Sequence, residues 1–333
     1  MPGRLSRLLR ASPEDAVLDP LAPRSSRCAC RSRPIRRAGP PARARGDLSA
    51  STAGVLLGFL AYGLFTVADA AVKAIGPALD IFQIGFLVMV FATPVMLAAK
   101  PASESWRAVL RPRRPGLVLL RGLLTTISGV CVVIAFTTIP FAEAFALLFL
   151  APTIGTLLSR LLLKEPLDWH TMLAIGLGLA GVLIAIRPGL RVLEAGHLAA
   201  FVAAFSVGAG VSVLRKLSTT EPRTTLFMVV ALSILAVNGV LMLRGWRWPD
   251  PREWSLLALS GVLDGIGHVA LLLAARRTLA ARIGATHYSQ LIWAVLIGML
   301  VFDEYPDRWM IAGLAIIALS GTLALVAARR RPG

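Results

Sequence analysis

AARRTLAARIGATHYSQLIWAVLIGMLVFDEYPD, residues 274–307, is an apolar run long enough to cross a membrane, entered through a basic turn and closed by an acidic turn that holds a proline. It has a partner of equal length at residues 135–168, AFTTIPFAEAFALLFLAPTIGTLLSRLLLKEPLD. An offset of 139 places Ala135 on Ala274, Ala142 on Ala281, Glu165 on Glu304 and Asp168 on Asp307, and one further residue brings Trp169 onto Trp309 and Gly181 onto Gly321. A long feature that recurs once at a fixed spacing marks a chain made of two copies of one unit.

Composition fixes the environment of those units. Hydrophobic residues make up 56% of the 333 and charged residues 16%, with a mean hydropathy of +0.72. Soluble domains carry about 25% charged residues, whereas runs of about 20 apolar residues mark membrane spans. The chain therefore reads as an all-α protein that crosses the bilayer many times. Its net charge of +17 would indicate nucleic acid in a soluble protein; here it reports topology, because Lys and Arg gather on the cytoplasmic side. Cys28 and Cys30 fall in a polar tail and Cys131 in a span, so no disulfide framework or structural zinc site is expected. No metal cluster, phosphate loop or cofactor motif is visible either.

Residues 1–49 form an Arg/Pro-rich tail with no apolar periodicity and are expected to be disordered. From residue 51, ten apolar runs follow: 53–72, 80–99, 116–139, 142–163, 171–186, 196–214, 225–243, 254–275, 283–301 and 309–328. At about 1.5 Å per residue most can cross a hydrocarbon core of about 30 Å as helices. Turn signals fall between the runs, except for Pro94 and Pro152, which are expected to kink the second and fourth spans. The expected division is a first five-span repeat over 50–189, a second over 190–328 and a basic tail over 329–333. With the N-terminus inside, 17 Lys and Arg near span ends face inward and seven outward, which places both termini in the cytoplasm. Five is an odd number, so the second repeat lies upside down relative to the first. That is the inverted-repeat plan of secondary transporters, whose substrate site lies near the midplane.

These residues carry a family resemblance. AEAFALLFLAPTIGTLLSRLLLKEPLDW with GLGLAGVLIAIRPG, the matching ARIGATHYSQLIWAVLIGMLVFDEYPD with GLAIIALSGTLAL, and the paired spans at 54–73 and 196–215 resemble the drug/metabolite transporter superfamily, in particular its EamA-type members. TVADAAVK, RPGLVLLRGLL and QLIWAV are similar to a bacterial subgroup that takes up riboflavin or S-adenosylmethionine. The resemblance implies ten helices around a central cavity lined by the first, third, fourth, sixth, eighth and ninth, and a place in the bacterial inner membrane. At Gly85 and Phe86, where many relatives place an Arg, this chain is apolar.

Polar groups inside spans are the candidates for function, since a charge at the bilayer centre costs at least about 2.5–3.5 kcal/mol unless it meets water or a partner. Asp264 and His268 share one face of the eighth span, as substrate or proton-coupling groups or as a static interhelical pair. Gln290 and Trp293 on the ninth span suit a planar, hydrogen-bonding ligand, or else packing, with His287 placed nearer the interface. Asp69 is a coupling candidate paired at i, i+4 with Lys73, a spacing that also suits an interfacial salt bridge. Thr125 and Ser128 descend one face of the third span beneath Arg121. Glu143 opens the fourth span, where a carboxylate suits a helix N-terminus. Glu165 and Glu304 read as paired helix stops that cap the following helix, and Gly176, Gly178, Gly181, Gly313 and Gly321 as close helix packing. The expected function is alternating-access transport of a small polar organic metabolite, with the bilayer and that solute as partners, no nucleic acid and a homodimer left open. An intramembrane enzyme using Asp264 and His268, and a non-transporting receptor, are the competing classes.

Overall fold

The computed structural model describes residues 44–99, 112–163, 169–187, 193–217, 220–277 and 286–329. The expected tail over 1–49 and the pair Glu165 and Asp168 lie wholly or largely outside them. The regular elements are α1 (Ala44–Ile75), α2 (Ile81–Ala98), α3 (Pro115–Thr138), α4 (Phe141–Leu148), α5 (Ala151–Leu163), α6 (Trp169–Ile186), α7 (Ala195–Leu217), α8 (Arg223–Leu241), α9 (Pro251–Arg277), α10 (Ser289–Phe302) and α11 (Arg308–Arg329). Among the described residues, seven helical stretches are long and apolar enough to cross a membrane, and three shorter apolar helices accompany them at Met172–Ile186, Ser289–Phe302 and Arg308–Leu323. The all-helical membrane fold is the one that lipid demands, because a bilayer offers no partner to unpaired backbone groups.

Side chains set the helix ends. Asp80 accepts from the backbone N–H groups of Phe82 and Gln83 at 2.9 and 3.3 Å and so starts α2. Asp250 and Glu253 exchange side-chain-to-backbone bonds of 2.8 Å each, a capping box before α9. α10 ends where Asp303 turns left-handed, at φ 54°. The N–H groups of Asp303 and Glu304 both return to the Gly298 carbonyl, the latter at 2.9 Å, so a carbonyl orphaned at the helix end is satisfied.

Two expectations about spans are corrected. The fourth span is not one kinked helix: it breaks at Phe149 and Leu150 into α4 and α5, and Pro152 lies in the first turn of α5, where its missing donor would have had no partner anyway. The ninth span is interrupted at Tyr288, a turn between helical Thr286 and His287 and α10; its expected start at residue 283 lies outside the described residues. By the 139-residue offset, Phe149 and Leu150 correspond to Tyr288 and Ser289, so both repeats break at one place. Pro94 does lie inside α2.

The packing follows the duplication. α1 lies along α9 as α3 lies along α7; α2 meets α9 as α8 meets α3; α6 pairs with α11. At this last crossing, Gly181 and Gly313 bring backbones together: a Cβ on Gly313 would come within 2.5 Å of the Gly181 carbonyl oxygen. A ring of Tyr288 likewise covers Gly321, whereas Gly176 meets nothing within 4 Å. The largest buried cluster gathers Phe136, Phe141, Phe145, Phe149 and Leu150 with Leu291, Ala294 and Leu314. Large apolar side chains such as Leu300, Leu161 and Leu198 stay exposed on the outer surface, as a lipid-facing exterior requires.

Candidate functional site

α1, α2, α3, α8 and α9 surround a cavity of about 270 Å³, near the lower end of the roughly 300–1,000 Å³ usual for small-molecule sites. Asp69 enters it from α1, Thr125 and Ser128 from α3, and Asp264 and His268 from α9. Those five expected residues meet in one place. The lining helices differ from those the resemblance implied. Among the described residues, the second and seventh spans (α2 and α8) line the cavity and the fourth, sixth and ninth do not; aromatic side chains fill the space beside the interrupted fourth and ninth spans.

Asp264 and His268 form the i, i+4 pair anticipated. The imidazole Nδ1 lies 2.9 Å from the Asp264 carbonyl oxygen and 3.4 Å from its Oδ2. A carbonyl can only accept, so Nδ1 carries a hydrogen and Nε2 is the position left to gain or lose a proton. The ring stands edge-on to Phe65 at 4.8 Å and to Phe227 at 6.4 Å. In the 139-residue register Asp264 corresponds to Thr125, and both line the cavity: one lining position is neutral in the first copy and acidic in the second.

Gln290 and Trp293 are not in this cavity. Gln290 is buried and bonds to the side chain of His287. Trp293 is 40% exposed, with its indole nitrogen about 3.6 Å from where a Cβ of Gly63 would stand. His287 is not interfacial either. It stacks between Tyr62 at 4.7 Å and Phe149 at 4.8 Å, halfway along the first and fourth spans. A turn at Tyr288 separates it from α10.

Lys73 does not bridge Asp69. One turn beyond the cavity, its Nζ lies 2.9 Å from Glu304 Oε1 and donates to the carbonyls of Phe136 and Ile139 at 3.2 and 2.9 Å. Glu304 Oε2 accepts the Phe141 N–H at 2.7 Å. Glu304 is thus a tie between the ends of α1, α3, α4 and α10 rather than a cap. The cap of α11 is Asp307, which accepts the Met310 N–H at 2.8 Å and pairs with Arg187. Glu143 also does more than favour a helix N-terminus: it is buried, and its Oε2 lies 3.1 Å from His197 Nε2 on α7. Arg121 stays outside the cavity wall, with its Nε buried and unpartnered.

Sequence reading missed Asn238 on α8. It is 2% exposed, lines the cavity, and its Oδ1 is buried without a hydrogen-bond partner. The signal was available: Asn238 is the only asparagine in the chain, and it stands in an apolar run.

Two copies of one helical unit packed around a polar cavity in a membrane-spanning bundle define a solute transporter. The EamA-like transporter family profile matches the chain twice, at residues 52–187 and 194–326, and the chain belongs to that family. It is 28% identical over 284 residues to the pseudopaline exporter CntI of Pseudomonas aeruginosa, a match covering 81% of this chain and 96% of the exporter. It is 22% identical over 266 residues to the S-adenosylmethionine uptake transporter of Rickettsia prowazekii, covering 80% and 90%. A solved crystal structure shares the fold with a TM-score of 0.61 at 22% identity, covering 84% of this chain and 98% of that one. The superfamily resemblance drawn from the repeated motifs is borne out.

Proposed function

We propose that the protein is a secondary active transporter of a small polar organic metabolite in a bacterial plasma membrane, and that the cavity holding Asp69, Thr125, Ser128, Asp264 and His268 is its transport site. The observation that carries this reading is the meeting of two carboxylates and an imidazole in one cavity between helices of both repeats. Ionisable groups inside a membrane are expensive and mark solute or ion pathways. The mechanism is alternating access: the two inverted units rock against each other around a fixed site.

With the tails cytoplasmic, as the Lys and Arg distribution favours, the tie of Lys73 to Glu304, the Glu143–His197 pair and the Gln83–Arg247 bonds all lie at the outer end. The cavity runs from them toward Met96 and Phe227 at the inner end. This supports reading the described arrangement as closed to the outside. An exporter and an importer both occur among the relatives, so direction is not inherited from them. His268, with Nε2 free to titrate beside Asp264, is the proposed proton-coupling pair.

The test is exchange in proteoliposomes loaded with a panel of adenosyl compounds, flavins, amino acids and carboxylate-rich chelators. Saturable counterflow of at least one class is expected, abolished by Asp264→Asn. Concentrative movement that persists when the proton gradient is collapsed at constant voltage removes the coupling role of His268 and Asp264. Counterflow unchanged in an Asp69→Asn/Asp264→Asn double variant removes the site.

A further inference from the structure

We infer that the cavity selects an organic cation carrying an N–H donor, an ammonium-type solute, over neutral and anionic molecules of the same shape. The inference rests on the reading of this cavity as the transport site and follows from the chemistry of its walls. Two carboxylates, Asp69 and Asp264, enter it from adjacent helices, and the remaining titratable group among the lining residues is His268; none of those residues is a Lys or Arg. The nearest cations on the same helices are turned to other work or stand outside. Lys73, a turn beyond Asp69, is held by Glu304 and by two backbone carbonyls. Arg121, a turn from Thr125, does not line the cavity.

Asn238 adds the independent observation. Its side chain is almost fully buried, it lines the cavity, and its Oδ1 has no partner. An amide oxygen only accepts hydrogen bonds, and buried polar groups are as a rule paired, so this atom is completed by a donor brought in with the solute. The amide has little room to turn away. It packs on the bare Cα of Gly85, where a Cβ would lie 2.6 Å from Nδ2. Three acceptor groups therefore converge on one small space. Phe136 and Phe227 are also among the lining residues, and aromatic faces attract a cation. Charge-assisted bonds from an ammonium to carboxylates are stronger than neutral ones, so selection by charge is expected to dominate selection by shape.

The test uses the purified full-length protein and four probes on one scaffold: 2-phenylethylammonium, its N-trimethylated form, 2-phenylethanol and 3-phenylpropionate. Ligand-induced thermal stabilisation reports binding by mass action, and counterflow of the same compounds reports transport. The primary ammonium is expected to stabilise the wild type at a concentration at least tenfold below the alcohol and the carboxylate. Asp69→Asn and Asp264→Asn should each remove that advantage. Asn238→Leu should abolish the preference for the primary over the trimethylated ammonium while keeping the preference for cation over alcohol. Equal stabilisation by the alcohol, or a preference for the carboxylate, overturns the cation assignment even if counterflow shows the cavity to be a transport site. Charge-selective stabilisation without counterflow of any probe supports the cation site and counts against the transport reading instead.

Discussion

The two sides of the bundle are built from the same repeated unit and end in opposite states. Where α1, α2, α3, α8 and α9 meet, the interior is hollow and lined by Asp69, Asp264, His268 and Asn238. Where α4 and α10 meet, it is filled by Phe136, Phe141 and Phe145, with ring centroids 4.9–5.5 Å apart, and by the stack of Tyr62, His287 and Phe149. The helices walling the hollow side are continuous, whereas the fourth and ninth spans on the filled side are broken. The difference teaches that helix breaks in a duplicated transporter need not hold the ligand themselves. Here aromatic side chains occupy the space beside the breaks, and unbroken helices present the charge.

The largest loss of stability is expected on the filled side. Phe141→Ala removes a fully buried ring and should cost about 3–5 kcal/mol of stability, with transport per folded molecule within about twofold of wild type; denaturant unfolding in bicelles paired with counterflow reads both. A large loss of specific transport at unchanged stability would mean that the rings take part in solute handling. On the hollow side the reverse split is expected. Asp264→Asn should lower transport about a hundredfold, near 2.7 kcal/mol, while the midpoint of unfolding stays close to wild type. Lys73→Met or Glu304→Gln should each cost about 1–3 kcal/mol, because each leaves a partly buried partner short of its charge. The Lys73→Met/Glu304→Gln double variant should be less damaged than the two single changes added together, which a double-mutant cycle measures. Gln290→Ala should have the smallest effect, about 1 kcal/mol from its lost hydrogen bond, with counterflow unchanged. A defect there comparable to Asp264→Asn would return the ninth span to the site.

The fold was legible because duplication and hydropathy are written along the chain: ten apolar runs and a 139-residue echo need no long-range knowledge. Asp69, Thr125, Ser128, Asp264 and His268 were legible for a related reason, since a polar residue in a span must face water or a partner. Gln290 met the same criterion but lies outside the cavity, bonded to His287, which stacks between Tyr62 and Phe149. Lys73 and Glu304 were misassigned to near neighbours in sequence; their true partners come from distant spans, and only the packing of α1 against α10 and the ends of α3 and α4 brings them together. Thr125 and Asp264 hold the plainest lesson. They occupy one register position in the two copies, and the departure of one from the other marks the cavity.

The matched breaks have a mechanical consequence. At the first, the Phe149 N–H returns to Phe145 O and that of Leu150 to Leu147 O, while Ile154 resumes the ladder from Leu150. At the second, Leu291 N–H reaches Tyr288 O at 3.2 Å. A joint that already interrupts the regular ladder gives up fewer backbone bonds on bending than an intact helix would. The stiffness of both joints is therefore set by side chains, chiefly the contact of Phe149 with His287 and Tyr288 at 4.8 and 5.3 Å. One ring, Phe149, stands at the first joint and touches His287 and Tyr288 at the second, so a bend at either joint disturbs the same contact.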